Sequence, residues 1–247
     1  MPLPKIETKF HTCILPTNGK EVKYRPFKMK EQKGVMLVTE TQSELDSYSA
    51  IVDMIQECVE NVDVKTLCSV DFEYLFFNVK AVSKGSLVPV VYKCQKCKQK
   101  NEIRVNVITE LAPSNQNYAL QVDLDDDMTV HFKLPSFLDA MNIFELIEDE
   151  SVNPDDEEQQ FGINVKDFYN MIASCIYKVE HKDQVFADFT VDEAVAFFED
   201  IPEEKSESIV DFFNDMPEMK YVGNHKCFDE KCGSKLELST KDVKSFL

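Results

Sequence analysis

The chain has 247 residues, 43% of them hydrophobic with 18 Phe, which is enough to bury a sizeable core and excludes a disordered polymer. Lys and Arg number 27 against 45 Asp and Glu, a formal net charge of −18, which argues against a general polyanion binder because phosphate binding relies on cationic side chains displacing counterions. No apolar run approaches the roughly 20 residues of a membrane span. Met1-Pro-Leu-Pro-Lys-Ile6 lacks the basic-then-apolar pattern of a secretory signal. The eight cysteines are therefore expected in a reducing compartment, where metal binding is favoured over disulfides.

In chain order, His11–Leu15 and Glu21–Arg25 alternate around Asn18-Gly19, the pattern of a β-hairpin, and Pro26 ends it. Residues 28–39 read as a helix. Thr41-Gln-Ser-Glu44 has capping-box spacing, and Leu45, Tyr48, Val52, Ile55 and Val59 recur at helical intervals after it. Residues 71–83, with Phe72, Leu75, Phe76, Phe77 and Val79, are apolar almost all round and predict a central buried helix. Strands are expected at 87–92 and 103–108, and a second hairpin at 117–134 turning at Asp123–Asp127. Asp123, Asp125 and Asp127 of that turn resemble a calcium loop, but Met128 and Leu134 stand where Gly and Glu are required, so a solvated tip is expected.

A helix is expected at 136–147. Glu148–Gln160 is acidic, contains Pro154 and reads as an exposed loop. The last third reads as mostly helical. Phe168, Met171, Ile172, Cys175 and Ile176 share a helix face, and Thr190-Val-Asp-Glu193 is a second capping box. Pro202 suits a first helical position, and the helix it begins is expected to bury Ile209, Val210, Phe212 and Phe213. Strands at 219–224 and 235–239 complete the chain. Phe76-Phe-Asn78 and Phe212-Phe-Asn214 each precede strand, cysteine pair and strand, and each is expected to close a helix. The resulting fold class is α+β: an N-terminal β-hairpin plus helices, a zinc ribbon made from two distant Cys pairs, and a C-terminal helical lobe. Boundaries are expected at 1–110, 111–160 and 161–247.

Cys94-Gln-Lys-Cys97 is a C-x₂-C knuckle and Cys227-Phe-Asp-Glu-Lys-Cys232 a C-x₄-C pair, each between strand-like segments. Cys94, Cys97, Cys227 and Cys232 together predict one structural Zn²⁺, since four thiolates close a tetrahedral shell and leave no position for water. Lys93, Lys96, Lys98, Lys100, Lys226, Lys231 and Lys235 surround them, which favours thiolates and offers a modest anion-binding patch. The alternatives are a redox C-x₂-C, two unrelated pairs, or His225 as a ligand. Cys13, Cys58, Cys68 and Cys175 fall at positions expected to be buried. The six glycines form neither G-x-G-x-x-G nor a P-loop, and no Gly-x-Ser-x-Gly occurs, so no catalytic residue is assigned and no enzyme is expected.

Leu3-Pro-Lys-Ile-Glu-Thr8, Leu15-Pro-Thr-Asn-Gly-Lys20, Val22-Lys-Tyr-Arg-Pro-Phe27 and Met29-Lys-Glu31, with Asp71–Phe76 before the first knuckle and Phe212–Pro217 before the second, resemble the T4-type phage baseplate hub assembly proteins. The resemblance implies a role in building the hub of a contractile-tail baseplate, as a chaperone-like assembly factor or as a hub subunit. It implies binding to hub and tape-measure proteins, no membrane, and a place in the host bacterial cytoplasm or the virion tail. The second pair departs from the C-x₂-C expected of relatives, and Val243–Leu247 lacks their double-aromatic end. The rival reading is a zinc-ribbon nucleic-acid-binding or transcription adaptor using the knuckle lysines.

Overall fold

The computed structural model describes residues 6–39, 44–94, 96–115, 118–141 and 165–235. Strands β1 (His11–Ile14) and β2 (Glu21–Tyr24) pair antiparallel, and Val22 and Tyr24 face inward from β2. Leu15 N–H donates to Lys20 C=O at 2.9 Å, so the loop is Pro16–Gly19, with Gly19 at φ +67°. That left-handed φ is where glycine costs least. β3 (Val59–Glu60) adds to β2, giving a three-stranded sheet.

Helices α1 (Met29–Thr39) and α2 (Glu44–Cys58) pack together, and α2 buries Val52 and Ile55 of the expected face together with Ile51, while Val59, expected on the same face, begins a strand instead. The first capping box lies at residues outside those described. Helix α3 (Ser69–Lys84) buries Phe72, Leu75, Phe76, Phe77 and Val79 and forms the middle of the larger core. Its buried Asp71 accepts hydrogen bonds from the Thr17 backbone N–H at 3.0 Å and from the Thr17 hydroxyl, fastening the hairpin loop to the helix. Gly85, at φ +99°, closes α3 by donating to Ala81 C=O. Phe76-Phe77-Asn78 thus lies inside α3 rather than at its end, and the echo with Phe212–Asn214 does not extend to the fold. Phe72 stacks on Phe137 with centroids 4.1 Å apart.

β4 (Leu87–Lys93) and β5 (Lys100–Asn106) form a hairpin in unbroken register from Leu87↔Asn106 to Lys93↔Lys100. β6 (Leu111–Pro113) then pairs with a strand far along the chain. β7 (Gln121–Asp125) and β8 (Met128–Phe132) make the next hairpin. At its tip Asp125 Oδ2 lies 2.6 Å from Lys205 Nζ, and Asp123 accepts from the Thr129 hydroxyl at 2.6 Å. Residues 137–141 are helical; the remainder of that expected helix, the acidic 148–160 stretch and the expected 235–239 strand beyond residue 235 lie outside the described residues.

Helix α4 (Val165–Cys175) passes directly into β9 (Ile176–His181), which hairpins to β10 (Gln184–Phe186). These two strands extend the second hairpin into a four-stranded antiparallel sheet, order β10-β9-β8-β7. The C-terminal lobe therefore consists of helices on a sheet. Its core gathers Val130, Phe132, Ile172, Cys175, Ile209 and Phe212, with Phe132 and Phe212 rings 4.7 Å apart.

Thr190 and Glu193 form the expected capping box at the start of α5 (Val191–Glu199), Thr190 N–H donating to Glu193 Oε2 at 2.7 Å. Pro202 stands one place earlier than expected, as the N-cap of α6 (Glu203–Asn214). Ile209 and Phe212 are buried there and Phe213 packs partly beneath, but Val210 points outward, 46% exposed. Finally β11 (Met219–Tyr221) pairs with β6 in the register Met219↔Pro113 to Tyr221↔Leu111. Among the described residues no helix is long and apolar enough to cross a membrane.

Candidate metal centre

The β4–β5 ladder delivers Cys94 and Cys97 to the tip of a hairpin whose inner face, Val88, Val90, Ile103 and Val105, belongs to the larger core. Cys94 N–H donates to Gln99 C=O at 2.8 Å, and Lys98 N–H returns to Cys94 C=O at 2.8 Å, with Lys98 at φ +62°. The second pair repeats this closure. Cys227 N–H donates to Ser234 C=O at 2.9 Å, and Gly233, at φ +54°, donates to Asp229 C=O at 3.0 Å. Asp229 thus takes the turn position that Cys94 occupies in the first loop. The wider spacing of the second pair is absorbed before the turn, and Cys232 is presented as Cys97 is. An Asx turn supports it, with Lys231 N–H donating to Asp229 Oδ1 at 2.9 Å.

The two tips meet. Cys94 Sγ lies 3.9 Å from Cys232 Sγ and Cys97 Sγ 3.4 Å from Cys227 Sγ, and all four sulfurs fall within 4.8 Å of one another. A tetrahedral ion with metal–sulfur bonds of about 2.3 Å has sulfurs about 3.8 Å apart, so the cluster has the dimensions of a four-thiolate metal shell. Cys94 and Cys227 are buried, Cys232 is half-buried and Cys97 is exposed.

Two residues that spacing did not single out build the surroundings. Asn101, fully buried, donates from Nδ2 to Gln99 C=O at 2.8 Å and accepts from Phe228 N–H at 2.7 Å, so one side chain ties both loops. The Ser234 hydroxyl lies 3.3 Å from Cys94 Sγ and 3.1 Å from Cys232 Sγ. An asparagine next to the knuckle in a strand was the available signal for the first; a serine two places after the last cysteine carries none.

The electrostatics separate these cysteines from the rest. The Ser234 hydroxyl and the backbone N–H of Cys97 lower the Cys94 thiol to about 6, and Ser234 also lowers Cys232. Cys97 accepts a backbone hydrogen bond at Gln99, yet desolvation and the neighbouring cysteines push it up to about 12. Crowding by the neighbouring sulfurs thus opposes ionisation of Cys97, which a bound cation would relieve. By contrast, Cys13, Cys58 and Cys175 are buried core thiols that burial raises to about 11, while Cys68, expected to be buried too, is only half-buried and is raised to about 12 by desolvation and Asp71.

His225 does not join the cluster. Its Nδ1 is hydrogen-bonded to the Tyr221 hydroxyl and lies 3.8 Å from Glu110 Oε1. The seven knuckle lysines are all exposed. The second loop is also held without any metal, since β11 pairs with β6 and Val222 N–H donates to Glu110 C=O at 2.8 Å.

Comparison with known families decides the affiliation. The family model described as T4 bacteriophage base plate protein matches residues 7–247. The chain belongs to that family. The match spans both cores and both cysteine pairs, so the affiliation of this baseplate protein does not rest on the knuckles alone. Neither the curated proteins nor the solved structures gave a match.

Proposed function

We propose that this baseplate-family protein acts in building the hub, as a chaperone-like assembly factor or as a hub subunit, by binding hub and tape-measure proteins rather than by catalysis. The observation that carries the reading is the family match over residues 7–247. The cysteine geometry supports a scaffold: Cys94, Cys97, Cys227 and Cys232 would hold one structural zinc, a four-sulfur shell with no open coordination position. Zinc would supply fixation of the two loops against each other, which Asn101 and the β6–β11 pairing already bring into register. Such a protein works in the cytoplasm of the infected bacterium or within the tail of the particle.

The exposed knuckle lysines favour one rival, a nucleic-acid adaptor, which the net charge of −18 opposes. Affinity capture from infected cells separates the two readings. Co-purification of hub or tape-measure proteins, with DNA and RNA binding absent at low salt, is the expected result. Steeply salt-dependent nucleic-acid binding without tail proteins would overturn it. Probing purified particles for the chain then distinguishes a subunit from a transient factor.

A further inference from the structure

A cleft of about 250 Å³ opens between α1, α2 and α3, walled by Phe27, Met36, Met54 and Phe76. Two lysines one helical turn apart on α3, Lys80 and Lys84, complete its lining. Lys84 is exposed, and its Nζ stands 5.7 Å from the Phe27 ring centroid. Lys80 is 6% exposed, more than nine-tenths buried. Among the described residues no hydrogen bond or ion pair reaches its ammonium, and the cleft is lined by no Asp or Glu. In a chain whose acids outnumber its bases by 45 to 27, two lysines converging without a carboxylate run against the composition.

The Lys80 stem is buried while its ammonium reaches the open cleft with no protein partner, so a cation stands in an apolar site that Leu or Met would fill without desolvating a charge. Burial and the nearby charge of Lys84 lower Lys80 to about 8, so it remains mostly cationic at neutral pH. A cation of this kind, facing an apolar cleft, is matched by an anion with a hydrocarbon body. The volume is below the range of drug-sized pockets, so the body is short. Met36 and Met54 supply adaptable walls.

We infer that this cleft binds a carboxylate carried on a short apolar group, with the carboxylate on Lys80 and the hydrocarbon against Met36, Met54 and Phe76. The group comes from a free aliphatic acid or from the terminal residue of a polypeptide.

Calorimetric titration of the full chain with octanoate, octanamide and an acetylated tripeptide ending in leucine with a free carboxylate tests this. Saturable binding of octanoate or the tripeptide is expected, with octanamide weaker by at least tenfold. The better of the two carboxylates names the source. Lys80→Met is expected to lose at least tenfold in affinity while melting no lower than the parent, because it keeps the buried stem and removes a partly desolvated charge. Should K80M not fold, Lys80→Gln carries the same comparison. Absence of saturable binding by both carboxylates, equal binding of octanamide, or undiminished binding by the folded variant would overturn the inference.

Discussion

Asn101 and Phe228, 127 residues apart, are joined by a 2.7 Å hydrogen bond from the Phe228 backbone N–H to Asn101 Oδ1. The same side chain donates to Gln99 C=O in the opposite loop. This fully buried amide thus joins the two cysteine tips through protein groups alone.

Removing it leaves the Phe228 N–H without its partner and Gln99 C=O with the Cys94 N–H as its remaining donor. Asn101→Ala is expected to cost about 1–3 kcal/mol. Asn101→Asp keeps the acceptor for Phe228 but loses the donor to Gln99 and so weakens one loop selectively. Urea denaturation measures the first effect, and hydrogen exchange at Phe228 and in the 94–99 loop resolves the second.

Metal content tests the four sulfurs. Protein purified without chelator is expected to carry one zinc per chain, and Cys94→Ser or Cys227→Ser none. Ser234→Ala keeps all four sulfurs but loses the hydroxyl next to Cys94 and Cys232, and is expected to weaken zinc by about tenfold in chelator competition. Because β6–β11 pairing is backbone-made, chelation is expected to expose the loops to protease while leaving the far-ultraviolet spectrum nearly unchanged.

Arg25 and Glu31 form a buried pair at 2.9 Å, with side chains 11% and 3% exposed, that locks the first hairpin to α1; Arg25 also donates to Glu57 C=O on α2 at 2.6 Å. Glu31→Gln is expected to cost about 3 kcal/mol by leaving the guanidinium without its counter-charge. Burial acts to raise the Glu31 carboxyl, but the Arg25 hydrogen bonds and the Lys28 N–H outweigh it and hold the group below its usual range. A depressed folded-state value means that the pair stabilises fully above the unfolded carboxyl's range and is lost as pH falls through the folded value. The gap between parent and E31Q is therefore expected to be flat near neutrality and to close below about pH 4. Thermal melts of both proteins across pH check it.

A Cβ on Gly223 would overlap the Tyr221 hydroxyl and the adjoining ring edge, which the His225 hydrogen bond holds in place. Gly223→Ala is expected to destabilise by roughly 1–3 kcal/mol through overpacking. Tyr221→Phe, which frees the ring from His225, is expected to recover part of that loss in the double variant, read by denaturant midpoints.

What the sequence alone determined was local. The Asn18-Gly19 turn, the Thr190–Glu193 box, the apolar belt of α3 and the spacing within each cysteine pair are interactions closed within a few residues, so their signals stand next to each other in the chain. Tertiary structure decided which distant pieces meet. β9 starts directly at Ile176 on leaving α4, with no turn residue to announce it, and becomes a strand because β8 offers it an open edge. Val210 shares the apolar character of Ile209 yet faces out, since α6 buries one face only. The Asn101 clamp, the repeated loop closure at Asp229, and the unpaired Lys80 of the cleft were equally silent. Each depends on what surrounds the side chain across the fold, and a linear pattern carries no record of those neighbours.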